Sequence, residues 1–290
     1  MRLLLVDGHY YAYRSFYAIR HLTNSKGEPT NAVYGFIKAL KRMLQDLAPD
    51  RAAVIFDSGP PARLAMQKDY KAQRPETPPD LEAQLPVIQR VVAALGFKQI
   101  AIHGEEADDI IASYALAASA QGCETVLATS DKDLLQIVNP HCLVYQTNKD
   151  GFQLLGSADV GKKWGVPPEK IGQALALIGD TSDNIPGVPG IGPKTAAELI
   201  RQFGDAEMLL RRLNEVASEK QRAVLEQHAE RIRLNLEMFK LRDQLPLPEP
   251  LEELRITPDT AAQIREFEAL EFKTFLREIQ KSDSRQGELF

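Results

Sequence analysis

Short apolar runs alternate with amphipathic ones through the first half of the chain. "RLLLV", "RAAVIF", "KQIAI", "ETVLAT" and "CLVYQ" read as strands, whereas "NAVYGFIKALKRMLQDLA", "DLEAQLPVIQRVVAALG" and "DDIIASYALAASAQG" carry apolar positions at helical spacing. Near-continuous rather than alternating apolar strands suit a parallel sheet covered on both faces. The pattern predicts an α/β, doubly wound, mostly parallel sheet over residues 1–165.

Two departures interrupt that rhythm. Between Asp57 and Leu81, "SGPPARLAMQKDYKAQRPETPPD" carries five prolines and a basic cluster with little apolar periodicity, and reads as a long, exposed, partly helical excursion at about 58–80. After about residue 165 strands vanish. "PPEKIGQALALIG", "GPKTAAELIRQFG" and "SEKQRAVLEQHAERIRLNLEMFKLRD" predict a helical module over 166–250. A proline-rich connector, "QLPLPEPLEEL", then leads to a last helix, "PDTAAQIREFEALEFKTFLREIQK", and a polar tail within 251–290.

In a doubly wound sheet, ligands bind at the carboxyl ends of the strands. Here "LLLV" ends in Asp7, "AAVIF" in Asp57, "QIAIHG" runs into the turn holding Glu106, Asp108 and Asp109, and "TVLATS" ends in Asp131 and Asp133. Further on, "LIGDTSDNIPG" sets Asp180 and Asp183 three apart, on one side of a helical turn. Any one of these is explained by a turn or a helix cap. Together they deliver nine acids toward one edge.

Nine ionised carboxylates share a cleft only with cations, because each raises the others' pKa and burial adds to the penalty. All-oxygen ligation, with no histidine or thiolate pattern, selects Mg²⁺ or Mn²⁺. Two such ions about 4 Å apart are the standard apparatus for displacement at phosphorus, which makes phosphodiester hydrolysis the expected chemistry.

Composition bears on this reading in two places. The net charge of −5 first argues against a nucleic-acid partner, but setting nine metal-site acids aside takes −5 to +4 for the remainder. In 290 residues with 44% hydrophobic and 26% charged side chains, no apolar run approaches a membrane span, and "MRLLLVDG" is too short for a secretory signal. A cytoplasmic location and no membrane partner are expected. Cys123 and Cys142, in no metal-binding or redox spacing, are expected reduced and buried.

A second signal follows Asp183. In "NIPGVPGIGPKTAAELI", Gly187, Gly190 and Gly192 permit a tight turn at 184–195, and Pro193 opens a helix. Backbone N–H groups freed at that N-terminus bind phosphate, and Lys194 and Thr195 add to the same surface, a grip on a DNA backbone without sequence preference.

These motifs, "VDG", "FD", "YKAQRP", "GEEADDIIA", "TSDKDLLQIV" and "GDTSDNIPGVPGIGPKTA", resemble the flap endonuclease and 5′-3′ exonuclease superfamily, most of all the 5′ nuclease domain of bacterial DNA polymerase I. The likeness runs from "LLLVDG" to "EFKTFLREI", with no polymerase domain after it, as in a free-standing version of that nuclease. It implies a PIN-like, resolvase-like core and a helix-three-turn-helix module. By this resemblance Asp7, Asp57, Glu106 and Asp108 surround a first Mg²⁺, and Asp109, Asp131, Asp133, Asp180 and Asp183 lie around or near a second, with Mn²⁺ able to substitute. Glu105 is left as a capping or surface acid.

The resemblance also makes "YKAQRP" part of a helical arch around a single-stranded 5′ end, with Lys71 and Arg74 steering the scissile phosphate, Tyr70 a stacking partner for a base, and Arg63 a weaker DNA contact. It places K⁺ on backbone carbonyls of the glycine hairpin. The tail "QGELF" is similar to the peptide that docks on the bacterial sliding clamp, through Gln286, Leu289 and Phe290. The implied activity is structure-specific 5′ nuclease action on DNA with 5′ flaps or 5′ ends, and on RNA primers paired to DNA, in replication and repair, by a monomer. A ribonuclease of the PIN-like class and a junction-binding protein without catalysis are the competing readings. The arch and hairpin argue against the first, and the full set of acids against the second.

Overall fold

The computed structural model describes residues 1–148 and 151–287. In chain order the first elements are β1 (Arg2–Asp7), α1 (Gly8–Ala18), α2 (Asn31–Leu47), β2 (Arg51–Ile55), α3 (Pro79–Glu82), α4 (Leu85–Ala94) and β3 (Lys98–Ile100). Then come α5 (Ala107–Ala120), β4 (Glu124–Ala128), β5 (Cys142–Asn148), β6 (Gly151–Leu155), α6 (Ser157–Trp164) and α7 (Ile171–Ile178). The chain continues through β7 (Gly179–Asp180), β8 (Ile185–Pro186), α8 (Pro193–Phe203), α9 (Ala206–Arg211), α10 (Glu219–Gln227), α11 (Ala229–Met238), α12 (Thr260–Ala269) and α13 (Lys273–Gly287).

These elements form two units. One holds residues 1–56, 76–101 and the chain from 247 onward. In it β1 pairs with β2 in parallel, Leu4 opposite Ala52, and β2 pairs with β3 in parallel, Val54 opposite Gln99. Leu3, Leu4, Leu5 and Val6 are fully buried, as are Ala52 to Ile55, which is what continuous apolar strands require. α1 follows β1 directly, because the Asp7 side chain accepts the Tyr10 N–H at 2.9 Å and caps the helix. The aromatic-rich "GHYYAYRSFYA" hides this helix from a periodicity reading.

The other unit holds residues 57–75 and 102–246. β4 and β5 are parallel, Thr125 opposite Cys142, and β5 turns back antiparallel into β6. Helices dominate beyond 165, but the expectation that strands vanish there is corrected by a two-residue antiparallel pair, with Asp180 opposite Ile185. It brackets the loop that carries Asp183. Cys123 and Cys142 are buried free thiols, and burial pushes the Cys142 thiol up to about 12.

Two helices expected to be continuous are broken. Residues 218–243 divide at His228 between α10 and α11, where the His228 ring engages the Val224 carbonyl. α12 ends in a left-handed residue, Glu271 at φ +59°, with Phe272 N–H reaching back to Phe267 O at 2.8 Å. That is a Schellman closure with glutamate where glycine usually signals it. No helix among the described residues is long and apolar enough to cross a membrane.

Candidate metal centre and nucleic-acid interface

Asp7 ends β1 in the first unit and is buried. The eight other acids predicted from sequence belong to the second unit. Asp57 accepts the Ala107 N–H at 2.7 Å and so caps α5, whose first turn carries Asp108 and Asp109. This answers the local part of the acidic cluster, since carboxylates at a helix N-terminus meet free N–H groups and the positive dipole end.

Around that turn, separate segments converge. Lys71 Nζ meets the Glu106 carboxylate and stands 4.0 Å from Asp183 Oδ2. Arg74 Nη2 lies 2.6 Å from Asp183 Oδ1. The Tyr70 hydroxyl sits between Glu106 and Asp183, 3.1 Å from Glu106 Oε1 and 3.2 Å from Asp183 Oδ2. Lys132 Nζ contacts Asp180 Oδ2 at 2.8 Å, and the Asp133 N–H donates to Asp131 Oδ1 at 2.8 Å.

The electrostatics follow from this crowding. Burial, then the charges of Asp183 and Asp180, push the Asp131 carboxyl up against the lowering pull of the Asp133 N–H and Lys71. Asp133 is pushed well above the usual carboxylate range by burial and by Asp131 and Asp183. At Glu106 burial acts the same way but Lys71 and Arg63 outweigh it and hold the carboxyl low. Asp180 is likewise held low, burial being overcome by Lys132 and Ser182. Lys71 is raised although burial opposes it, because Glu106 and Asp183 favour its charge. Arg74 is raised against burial, by Asp183 first and with a smaller part from Asp57. Asp57, Glu106, Asp131, Asp133, Asp180 and Asp183 therefore act on one another directly or through Lys71 and Arg74. Asp108, in the same first turn of α5, is half-buried.

Three expectations change. Asp109, predicted near a metal, is 1% exposed and bound on both oxygens by Arg63, Nη1–Oδ2 2.7 Å and Nη2–Oδ1 2.9 Å, with the Arg242 N–H on Oδ1 at 2.9 Å. Arg63, predicted on the DNA surface, is 8% exposed and also donates to Glu106 and to the Met238 and Lys240 carbonyls. Tyr70, predicted to stack on a base, is 6% exposed, its ring enclosed and its phenol raised by burial and by Glu106 and Asp183. A basic, proline-flanked stretch reads as exposed, and its pairing partners lie from 36 to more than 170 residues away, beyond any local pattern. Lys132, inside "TSDKD", joins the cluster through Asp180, and its place between two acids is the sequence signal for it.

As the side chains stand, no three acidic, histidine or cysteine groups among the described residues surround one point as metal ligands, and Lys71, Arg74 and Lys132 are paired with Glu106, Asp183 and Asp180. The donor set nevertheless fits a hard divalent ion. It is all carboxylate, it is crowded with like charge, and Asp133 Oδ1 is buried with no hydrogen-bond partner.

At the glycine hairpin, Val188 N–H bonds to Leu177 O at 2.8 Å, and a Cβ at Gly187 would meet the Ile178 carbonyl oxygen at 2.0 Å. Gly190 needs its glycine for φ +79°. Gly192 has no such internal reason. Its φ is −93°, a Cβ there meets nothing within 4 Å, and it is the N-cap of α8 with no side-chain bond. Lys194 is exposed beside it and Thr195 is half-buried.

A 5′-3′ exonuclease N-terminal resolvase-like domain matches residues 2–165, and a 5′-3′ exonuclease C-terminal SAM fold matches residues 166–262. The 5′-3′ exonuclease of Aquifex aeolicus is 37% identical over 96% of this chain and 95% of its own length. The thermostable DNA polymerase I of Thermus thermophilus is 41% identical over 96% of this chain, which spans 33% of that polymerase. The fold is similar to T5 5′-exonuclease with bound zinc, at TM-score 0.70 and 22% identity over 83% of this chain and 90% of that one. The catalytic core of Rad2 in complex with DNA gives 0.63 and 17% over 92% and 87%. The chain belongs to the 5′-3′ exonuclease family, enzymes built on a mostly parallel resolvase-like sheet with a helical C-terminal domain.

Proposed function

We propose that this chain is a structure-specific 5′ nuclease that hydrolyses phosphodiesters at 5′ ends and 5′ flaps of duplex DNA, and in RNA primers on DNA, during primer removal, replication and repair. The observation that carries the reading is the convergence of Glu106 and Asp183 on Lys71 and Arg74, with Asp131, Asp133 and Asp180 acting on one another and on Asp183 beside them, and Asp133 Oδ1 buried and unpaired. Divalent ions are the complement such a set calls for, two Mg²⁺ replaceable by Mn²⁺, with Asp108 a further oxygen donor on the first turn of α5. When bound they supply a water nucleophile of lowered pKa and stabilise the leaving oxygen.

The chain's own groups do the rest. Lys71 and Arg74, freed from Glu106 and Asp183, hold the non-bridging oxygens of the scissile phosphate where charge develops. Tyr70 keeps Glu106 and Asp183 in register. The backbone at Gly190 and Gly192, with Lys194 and Thr195, grips a phosphate of the duplex, and the open side of Gly192 lets that backbone come close. Potassium on hairpin carbonyls belongs to the same proposal, as do a monomeric state and a cytoplasmic location. Of the clamp-docking residues, Leu289 and Phe290 lie outside the described residues, as does the side chain of Gln286.

A labelled 5′-flap duplex with Mg²⁺ tests the reading. Wild type is expected to release the flap, leaving a 5′-phosphate and a 3′-hydroxyl, and Asp131→Ala to lose that activity. Equal cutting by both would overturn the site, and Asp7→Asn shows whether the acid that ends β1 takes part in the chemistry.

A further inference from the structure

The backbone N–H of Lys71 is held from another segment, while its carbonyl accepts the Arg74 N–H at 3.0 Å. Lys71 sits at φ +58°, a left-handed conformation with no glycine or asparagine to ease it. Its N–H donates to the Asp183 carbonyl at 3.0 Å. The next residue of that loop, Asn184, is left-handed as well, at φ +56°, where asparagine is well tolerated.

Between them lies a reciprocal pair of side-chain amides. Gln67 Nε2 donates to the Asn184 carbonyl at 2.6 Å, and Asn184 Nδ2 donates back to the Asp69 carbonyl at 2.7 Å and to Asp69 Oδ2 at 3.2 Å. Gln67 is 7% exposed, and its Oε1 accepts from Arg231 Nη1 on α11 at 3.3 Å. The same helix reaches the hairpin: Asn235, fully buried, donates Nδ2 to the Pro186 carbonyl and to the Ala176 carbonyl, each at 2.9 Å. A continuous path of backbone and hydrogen bonds therefore runs from the residue before Gly187, through Ile185 and Asn184, to Gln67 and Asp69 and so to Lys71.

We propose that Gln67 and Asn184 form a clasp through which the glycine hairpin, when it engages duplex DNA, fixes the position of Lys71 and Arg74 over the scissile phosphate. Both are positioning residues, with no contact to the reacting atoms. The inference rests on the nuclease reading above, since it gives the arch and the hairpin their roles. Physical contiguity alone does not show coupling. What favours coupling here is that Lys71 is held in a strained conformation by a loop that also begins the hairpin, so a shift of that loop releases the strain and moves the cation.

Gln67→Ala removes one half of the clasp. Asn184→Gly removes the other while keeping the left-handed backbone accessible. Each single variant and the double are compared with wild type in single-turnover cleavage of a 5′-flap duplex with Mg²⁺, and in binding of the same duplex without divalent ions. Each single variant is expected to lower the cleavage rate by about 10- to 100-fold, the scale of a small misplacement of a catalytic group. Binding stays within about twofold, and the double is no slower than the slower single, as for two halves of one device. Single variants that cut within about twofold of wild type, or losses that multiply in the double, would overturn the clasp. Binding and thermal stability falling together with rate would make it plain scaffolding. Trypsin cleavage at Lys68 and Lys71 keeps the two hypotheses apart. If wild type does not cut the flap, duplex DNA must still protect these sites in wild type and fail to protect them in Asn184→Gly for the clasp to stand.

Discussion

Arg63 and Asp109 form a buried, two-pronged ion pair, 2.7 and 2.9 Å, in which every oxygen of the acid and most donors of the base are engaged. The pair ties the 57–75 segment to α5 and to the chain leaving α11. Removing one partner strands the other in low dielectric, so Asp109→Asn or Arg63→Ala is expected to cost about 3–5 kcal/mol in urea denaturation. A joint replacement by apolar residues costs much less than the two losses summed. Asp109→Asn, once folded, keeps the ion-binding stoichiometry of wild type in Mn²⁺ titration, whereas Asp133→Asn does not.

Asp133 carries the opposite prediction. Its carboxyl is raised by burial and by Asp131 and Asp183, so in the ion-free protein the ionised form destabilises the fold. That penalty is absent below the unfolded value near 3.8, where both states are protonated, and grows as pH rises through the folded value. Asp133→Asn is therefore expected to raise the melting temperature of ion-free protein at pH 7, by about 2–4 °C per kcal/mol gained, and to lose that advantage toward pH 4. Added Mg²⁺ reverses the order, because wild type gains about 2.7 kcal/mol at a hundred times its dissociation constant and the variant gains less.

Lys71 stands on Glu106 and beside Asp183. Lys71→Ala should lower single-turnover cleavage by about 10²–10³-fold, the loss of one donor aimed at developing charge. Lys71→Arg should recover part of it. A fall confined to KM would place Lys71 in substrate binding alone.

Gly192 has no packing or backbone reason to be glycine. A serine fits its φ of −93° and the open space around it, and is a good N-cap, so Gly192→Ser is expected to leave stability unchanged or slightly higher. Duplex affinity nevertheless drops, since the side chain keeps the DNA backbone away. Lys194→Ala weakens binding with little regard to sequence and reduces the salt slope by about one. Unchanged affinity in Gly192→Ser would remove the hairpin from the interface.

The strand cores and the acids at their ends were legible because both are local: a continuous apolar run names a buried strand, and the residue after it names an edge. Asp57, Glu106 and Asp131 could be grouped by that logic without knowing a single contact. Arg63 and Tyr70 could not, because burial of a basic or phenolic side chain depends on partners such as Asp109 and Glu106 brought in from another segment. The close of α12 was hidden for a different reason, since Glu271 adopts the left-handed turn that glycine usually announces. Lys132 is legible in the sequence as well, its charge lying between Asp131 and Asp133.

The central claim, that carboxylates from separate segments of the chain hold catalytic divalent ions, is tested most directly by a crystal soaked in Mn²⁺ and read by anomalous scattering. Peaks within about 2.5 Å of oxygens of Asp131, Asp133 and Asp183, with Lys71 Nζ withdrawn from Glu106, are what the account predicts. Peaks bound elsewhere on the chain, or none in a protein that still cuts a 5′ flap, would contradict it.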